Sequence, residues 1–468
     1  MQYPVAIIAS VAIFLALGSR ERLETRDSFE FEPSAQTVHK IRWPRRHIEV
    51  SLSTSLLSPG ANIKPDSDVL GAARRALARW SNLSNINFVV TWSTAISVSP
   101  AEAGDGVNLL TIATTPENEA FNSDSTTGRT RVFFDPETGN IVEADISINP
   151  RPRSDDGAEL QFSTDGTPGT YDLEATFTHE IGHFLGLDHS VLLSSTMQGR
   201  QAINGTFGLP ALTERTLSEE DRQKVRSLYG PRQRVGRIEG RLADNRTPGV
   251  LIPLNGASVW AENIANGRVI SSDVTAEDGS YKLEGLAPGQ YRVIVSSGAE
   301  AAQKFRSFEL ASQLTVKADT PALLNSSLVP AQASALNPRV IGLNAELSTV
   351  ALPLVAGRRV KIYLGGDGVD QVPGTSISVN SPFFTVDPSS LAREQIAAPF
   401  PVVSIELLVA ANAPVGDYTI RLQSNSGETA YVPGAITIDP GAVLSASNTA
   451  ADEFRNFITQ QLAAWLER

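Results

Sequence analysis

Residues 178–190 read THEIGHFLGLDHS, and this stretch predicts both the fold and the chemistry of the region around it. His179 and His183 are four positions apart, so a helix places them on one face, one turn apart. Gly186 allows the chain to turn sharply after the helix, and His189 can then return toward the same point. The spacing therefore predicts three imidazoles that reach one metal ion.

Three histidine ligands are typical of a catalytic zinc site, because they leave the fourth position of a tetrahedral ion open. Glu180 follows the first ligand and is placed to act on a water molecule. The chain has five histidines, and three of them lie in this pattern. Two other interpretations stay open: histidines that serve only as surface or core residues of an amphipathic helix, and a decayed relative that binds no metal.

The flanking sequence predicts an α+β region over residues 40–231. Asp172 is a candidate N-cap for a helix from Leu173 to about Leu185, and Ser218 begins a capping box before a helix that ends at Tyr229. An earlier amphipathic helix carries Val69, Ala73, Leu77 and Trp80 on one face. Strands are predicted at His47–Ser53 and within INFVVTW, VNLLTIAT, TRVFFD and IVEADISINP, and a loop at 151–170.

The segment HEIGHFLGLDHS resembles the zinc-binding consensus of the metzincins, and Ser190 after the third histidine points to the matrixin branch. Met197, the only methionine besides Met1, matches the position of the metzincin methionine turn. The pieces IRWP, VEADISIN and LSEEDRQKVRSLYG also look like matrixin landmarks in matrixin order. The resemblance implies a twisted mixed sheet with three helices, one catalytic Zn²⁺ held by the three histidines, and peptide-bond hydrolysis by a zinc-activated water with Glu180 as general base.

Three departures from the matrixin pattern matter. The chain has no cysteine, so a cysteine-switch prodomain is not expected, and the loop 151–170 has no histidine for a second, structural zinc. Gln198 and the two residues after it replace the usual Tyr-Pro, so the wall of the specificity pocket is not predicted.

The matrixin family often binds Ca²⁺ through acidic loops, and the resemblance therefore raises the possibility of calcium ligands. The alternative is that these acids are solvated loop residues. The candidates are Asp145, Asp155, Asp156 and Asp165.

The composition becomes β-rich after residue 231. Residues 234–325, with GASVWAEN and VTAEDGSYKLEGLAPGQYRVIV, resemble the carboxypeptidase regulatory-like family, a transthyretin-like sandwich. Residues 336–440 look generically Ig-like. Residues 449–468 have apolar positions at helical spacing and predict a short C-terminal amphipathic helix. The predicted fold class is therefore multidomain: an α+β metzincin catalytic domain, two all-β sandwich domains and a C-terminal helix.

The N-terminal segment predicts export. Residues 1–18 have the apolar core of a signal peptide with small residues before a cleavage after Gly18, and 19–39 form a polar leader. No basic residue precedes the apolar run, so an uncleaved anchor is the alternative, and no later segment is long and apolar enough to span a membrane. The formal net charge of −12 argues against nucleic acid and anionic membranes as partners.

These observations predict a secreted zinc metalloendopeptidase that acts on a protein or peptide substrate, with β domains that place it on a cell-surface or matrix ligand. The rival hypothesis is an adhesion or matrix-binding protein with a vestigial protease fold. A third is a self-processing or toxin-like protease with one specific partner.

Overall fold

The computed structural model describes residues 24–27, 39–119, 121, 126–154, 157–230, 234–247, 250–297, 305–328 and 335–438. Below, the first region is 24–27 together with 39–230, the second region is 236–328 and the third region is 335–438. The predicted signal peptide at 1–18 and the predicted C-terminal helix at 449–468 lie outside the described residues. Among the described residues, no helix has the length and apolar character needed to cross a membrane.

The first region contains three α-helices and the strands that precede and separate them. The helices are α1 (Val69–Ser81), α2 (Leu173–Phe184) and α3 (Glu219–Tyr229), with 3-10 turns at Thr54–Leu57, Thr206–Gly208 and Ala211–Arg215. The strands are β1 (Glu24–Asp27), β2 (His47–Ser53), β3 (Asn87–Ser93), β4 (Leu109–Thr111), β5 (Gly128–Phe134), β6 (Ile141–Ile148), β7 (Gln161–Ser163) and β8 (Thr170–Asp172).

Six of these strands form one mixed sheet in the order β1-β5-β6-β4-β2-β3. The β1–β5 and β5–β6 pairs are antiparallel, and the β6–β4, β4–β2 and β2–β3 pairs are parallel. Strands β7 and β8 form a separate parallel pair. The predicted mixed sheet with three helices is confirmed, but two details were missed: β1 lies within the predicted leader, and β7 lies within the predicted loop 151–170.

The core of the first region holds α1 and α2 together. Trp80 is fully buried, and its indole Nε1 donates to the Thr178 carbonyl at 2.8 Å. Glu174, which is 1% exposed, pairs with Arg75 and Arg79 of α1 across the same contact. Because a buried carboxylate needs such partners, these ion pairs fix α2, and with it the histidines, against α1.

The second region consists of two sheets around one core, an arrangement typical of a β-sandwich. Its strands are β9 (Gly236–Asp244), β10 (Ile252–Pro253), β11 (Ala257–Asn263), β12 (Val269–Val274), β13 (Ser280–Leu286), β14 (Gly289–Ser297), β15 (Phe308–Val316), β16 (Pro321–Leu323) and β17 (Ser326–Leu328). One sheet has the order β10-β9-β13, with β16 and β17 also pairing with β9, and the other has the order β12-β11-β14-β15.

The third region has the same kind of construction. Its strands are β18 (Asn337–Leu343), β19 (Glu346–Ser348), β20 (Leu352–Leu354), β21 (Arg359–Asp367), β22 (Ile377–Val379), β23 (Phe384–Glu394), β24 (Val402–Val409), β25 (Gly416–Gln423) and β26 (Thr429–Ile438), with 3-10 turns at Val369–Gln371 and Gly374–Ser376. The sheets have the orders β19-β18-β21-β24-β23 and β20-β26-β25-β22, and their facing side chains share one core.

The three regions meet in a small apolar cluster. Leu192 comes from the first region, Trp260, Val269 and Ile294 from the second, and Tyr431 from the third. The rings of Trp260 and Tyr431 meet edge to face with centroids 5.9 Å apart. The segment that follows His189 therefore lies where all three regions are in contact.

Candidate metal centre

Helix α2 carries the first two histidines, and side-chain hydrogen bonds fix both of its ends; only the Asp172 cap among them was predicted from the sequence. Asp172 caps the helix by accepting a hydrogen bond from the Ala175 amide at 2.9 Å. At the other end, the Leu185 carbonyl accepts from the Tyr229 hydroxyl at 2.6 Å, and the Phe184 carbonyl accepts from the Trp43 indole at 2.8 Å. These contacts satisfy carbonyls that a helix leaves open at its C-terminus.

The turn at Gly186 brings His189 back to the helix. Gly186 has φ +85°, and a Cβ at this position would lie 2.3 Å from the Ile41 carbonyl oxygen. Glycine is required here both by the left-handed backbone and by the close approach of another chain segment.

We expect Gly186→Ala to lower the free energy of unfolding by about 3 kcal/mol, because it adds a clash to the backbone strain. Gly157→Ala is the matched control, since Gly157 has the same φ of +85° with nothing within 4 Å of the added Cβ. The control substitution should lower the free energy of unfolding by only about 1 kcal/mol. Urea unfolding followed by tryptophan fluorescence compares the two, and equal losses would contradict the proposed clash.

The three histidines come together as predicted. One ligand nitrogen from each of His179, His183 and His189 can be chosen so that all lie within 4.8 Å of one another. The Nε2 atoms of His179 and His183 are 3.0 Å apart. Among the described residues, this is the one cluster of three or more His, Cys, Asp or Glu side chains that could hold a metal ion.

Two of the imidazoles are oriented by backbone carbonyls. The Nδ1 atom of His179 is 2.7 Å from the Thr196 carbonyl oxygen, and that of His183 is 2.8 Å from the Leu187 carbonyl oxygen. A carbonyl only accepts, so Nδ1 carries the proton and Nε2 has the lone pair that a metal ion needs. Burial lowers the pKa of His179, although the hydrogen bond to Thr196 opposes this, and the neutral form that a metal requires is favoured. The residues present fit a zinc ion.

Met197 lies beneath the helix. It is fully buried, and a Cβ at Gly182 would lie 2.2 Å from its sulfur atom, so the absence of a side chain at Gly182 makes room for it. Helix α3 fixes this turn: the Asp221 carboxylate accepts from the Thr196 amide at 2.9 Å and from the Ser195 hydroxyl at 2.6 Å. The capping box that the sequence predicts at Ser218 therefore also positions the carbonyl that orients His179.

Glu180 faces the cavity beside the histidines and is 2% exposed. The Thr130 hydroxyl donates to its Oε2 atom at 2.6 Å. A Cβ at Gly128 would lie 2.7 Å from Oε1, so β5 must have glycine there for the carboxylate to take this position. Sequence reasoning missed Thr130, because it is 50 residues away on a strand and no motif marks it.

The acids predicted as calcium ligands have other partners where they are described. The carboxylate of Asp145 accepts from the Ser99 and Leu109 amides at 2.7 and 2.8 Å, and burial nevertheless raises its pKa to about 7. Burial also acts to raise the pKa of Asp165, but hydrogen bonds from Lys64 and Thr167 bring it down to about 2.

The other two predicted calcium ligands, Asp155 and Asp156, lie outside the described residues. Asp145 holds the 99–109 segment against β6, and Asp165 forms an ion pair with Lys64 at 2.7 Å. Calcium binding therefore stays a prediction.

Comparison with known proteins identifies the two N-terminal regions. The matrixin family model matches residues 42–230, and the model of the carboxypeptidase regulatory-like domain matches residues 237–327. The chain therefore contains a matrixin domain followed by a carboxypeptidase regulatory-like domain, which confirms both resemblances seen in the sequence.

Individual relatives are distant. Interstitial collagenase of Equus caballus is 27% identical over 199 residues, which cover 41% of this chain and 34% of the relative. Metalloendoproteinase 1-MMP of Arabidopsis thaliana is 29% identical over 181 residues, which cover 36% of this chain and 40% of the relative. The chain thus spans little more than a third of the length of these relatives. Among solved structures, BcpA, the major pilin subunit of Bacillus cereus, is similar over 44% of this chain and 69% of its own, with 12% identity and a TM-score of 0.18.

Proposed function

We propose that this chain is a secreted zinc metalloendopeptidase that cleaves peptide bonds in protein or peptide substrates at the site formed by His179, His183, His189 and Glu180. The observation that carries the proposal is the convergence of three histidines, two of them with Nδ1 held by carbonyls, beside a buried carboxylate in an open cavity. The matrixin domain at 42–230 supports the same chemistry.

Each residue has a role in hydrolysis. The three imidazoles would hold the metal ion, which would supply a lowered pKa of the attacking water and polarisation of the substrate carbonyl. Glu180 accepts the proton that the water gives up and delivers it to the amine that leaves. Thr130 orients the carboxylate for both transfers through its hydrogen bond to Oε2. No covalent bond forms between the enzyme and the substrate.

Secretion is supported by the sequence of residues 1–18. The second and third regions are proposed as two sandwich domains that accompany the protease, and a surface or matrix ligand for them remains a prediction. The rival hypothesis of a vestigial protease fold predicts no hydrolysis at all, so a cleavage assay separates the two.

We expect the purified mature protein to cleave casein, and we expect a zinc chelator to abolish cleavage and added Zn²⁺ to restore it. Mass spectrometry of the fragments would give the bonds that are cut. A protein that contains one zinc ion but cuts neither casein nor a proteome digest would contradict the proposed function and favour the rival.

A further inference from the structure

The cavity at the metal centre extends beyond the matrixin domain. It has a volume of about 680 Å³, and its lining includes His179 and Glu180 at the metal centre. The lining continues onto Val350, Val415 and Thr437, which belong to the third region. A residue as far along the chain as Thr437 therefore borders the same space as Glu180.

The segment that follows the third histidine anchors the third region at this place. The Phe207 amide donates to Glu346 Oε2 at 2.6 Å, and the Phe207 carbonyl accepts from Asn344 Nδ2 at 2.7 Å. The Phe207 side chain is 2% exposed and belongs to the core of the third region. Earlier in the segment, the Leu193 amide donates to the Pro433 carbonyl at 3.2 Å.

The same segment orients the metal centre, because the Thr196 carbonyl lies between these two anchors and contacts His179. Backbone hydrogen bonds and a shared apolar core fix the third region more firmly than a linker would. The wall that it contributes to the cavity is therefore held in a constant position relative to the histidines.

The third-region part of this wall carries little charge and combines apolar side chains with the uncharged polar side chains of Ser348, Thr349 and Thr437. Val415 is 47% exposed and Leu209, from the matrixin domain, is 37% exposed, and both line the cavity. Among the third-region residues of the lining, Asp417 alone is ionisable, and it is 2% exposed. Exposed apolar side chains that border a cavity gain free energy when an apolar group covers them.

We propose that the third region completes the substrate cleft, and that Val415 forms part of a subsite for an apolar side chain of an extended polypeptide substrate, outside the two residues that flank the cleaved bond. The inference rests on the proposed function, because the polypeptide is bound for cleavage at Glu180. It makes the third region part of substrate recognition and not a spacer.

The test compares Val415→Asp with Leu408→Asp in the full chain. Both residues are exposed aliphatic side chains of the third region, but Leu408, 39% exposed on β24, is not part of the cavity lining. Two quenched peptides are made around the main casein cleavage site, one of four residues and one of twelve. The quantity compared is the kcat/KM of the long peptide divided by the kcat/KM of the short peptide. We expect Val415→Asp to lower this ratio about tenfold, because that is the effect of losing one buried aliphatic contact. Leu408→Asp should leave the ratio at the parent value.

A binding measurement makes the test independent of turnover. Fluorescein-labelled, dephosphorylated casein is titrated with the Glu180→Gln protein, and the added Val415→Asp change should raise its Kd about tenfold by fluorescence anisotropy, whereas Leu408→Asp should not. An unchanged peptide ratio together with an unchanged Kd would overturn the inference while leaving the protease proposal intact. If the parent cuts nothing, the proposed function fails and the substrate subsite fails with it; weaker casein binding by Val415→Asp would then show a polypeptide-binding surface and not a substrate subsite.

Discussion

Glu180→Gln is expected to lower kcat for casein by about 10³-fold while the protein keeps its fold and its zinc. The loss follows because an amide cannot accept the proton of the attacking water, and general acid–base catalysis contributes about 10²–10⁴-fold. Glutamine matches glutamate in shape and can still accept from the Thr130 hydroxyl that now contacts Oε2 at 2.6 Å. The side chain should therefore stay in place between Gly128 and Thr130.

The measurement is kcat and KM on a quenched peptide, with zinc content determined on the same samples. Glu137→Gln is the matched control, because it makes the same chemical change at an exposed glutamate in the turn between β5 and β6. The control should retain the activity of the parent. A Glu180→Gln protein that contains zinc and cleaves the peptide at the parent rate would show that another group takes the proton.

The geometry of the metal centre was predictable from sequence because it is local. The spacing of His179, His183 and His189 is set by one helix and one turn, and the residues that form them, Asp172 and Gly186, lie within the same segment. The capping box at Ser218 was likewise predicted from four consecutive residues and is present. Such motifs encode their own geometry, since the helical repeat and a positive φ follow from covalent structure alone.

The residues that complete the site were not predictable, because they come from distant strands. Thr130 contacts Glu180 only because β5 runs beside α2, and nothing in TRVFFD marks a hydroxyl with that role. The pocket wall after Met197 was also undefined in the sequence. The structure shows why: Phe207 packs into the core of the third region, whose strands begin more than 100 residues later.

Sequence also placed a loop where the structure has a strand. Residues 151–170 are rich in turn-forming residues, yet Gln161–Ser163 forms β7 and pairs with β8 at the start of α2. A strand of three residues is too short to show an alternating pattern, so only tertiary pairing reveals it. The consequence for the site is small but direct, because β8 leads into the Asp172 cap.

His183→Ala is expected to remove zinc from the protein and, with it, all measurable cleavage. His183 is 6% exposed, its Nε2 atom lies 3.0 Å from that of His179, and alanine offers no donor. Loss of an outer partner of a zinc ligand already costs about 10–100-fold in affinity, so loss of a ligand itself should cost more. Zinc should raise the unfolding midpoint of the parent, because it binds the folded state, and should not raise that of the variant.

Zinc per chain after dialysis and competition with a chromophoric chelator give the affinity, and thermal unfolding with and without Zn²⁺ gives the shift. His47→Ala is the control, since His47 is an exposed histidine on β2 that lies outside the metal cluster. It should bind zinc as the parent does, which separates the loss of a ligand from the loss of any imidazole. If the folded His183→Ala protein still held one zinc ion with the affinity of the parent, the metal would have to lie elsewhere, and the three histidines could not be the centre of the reaction.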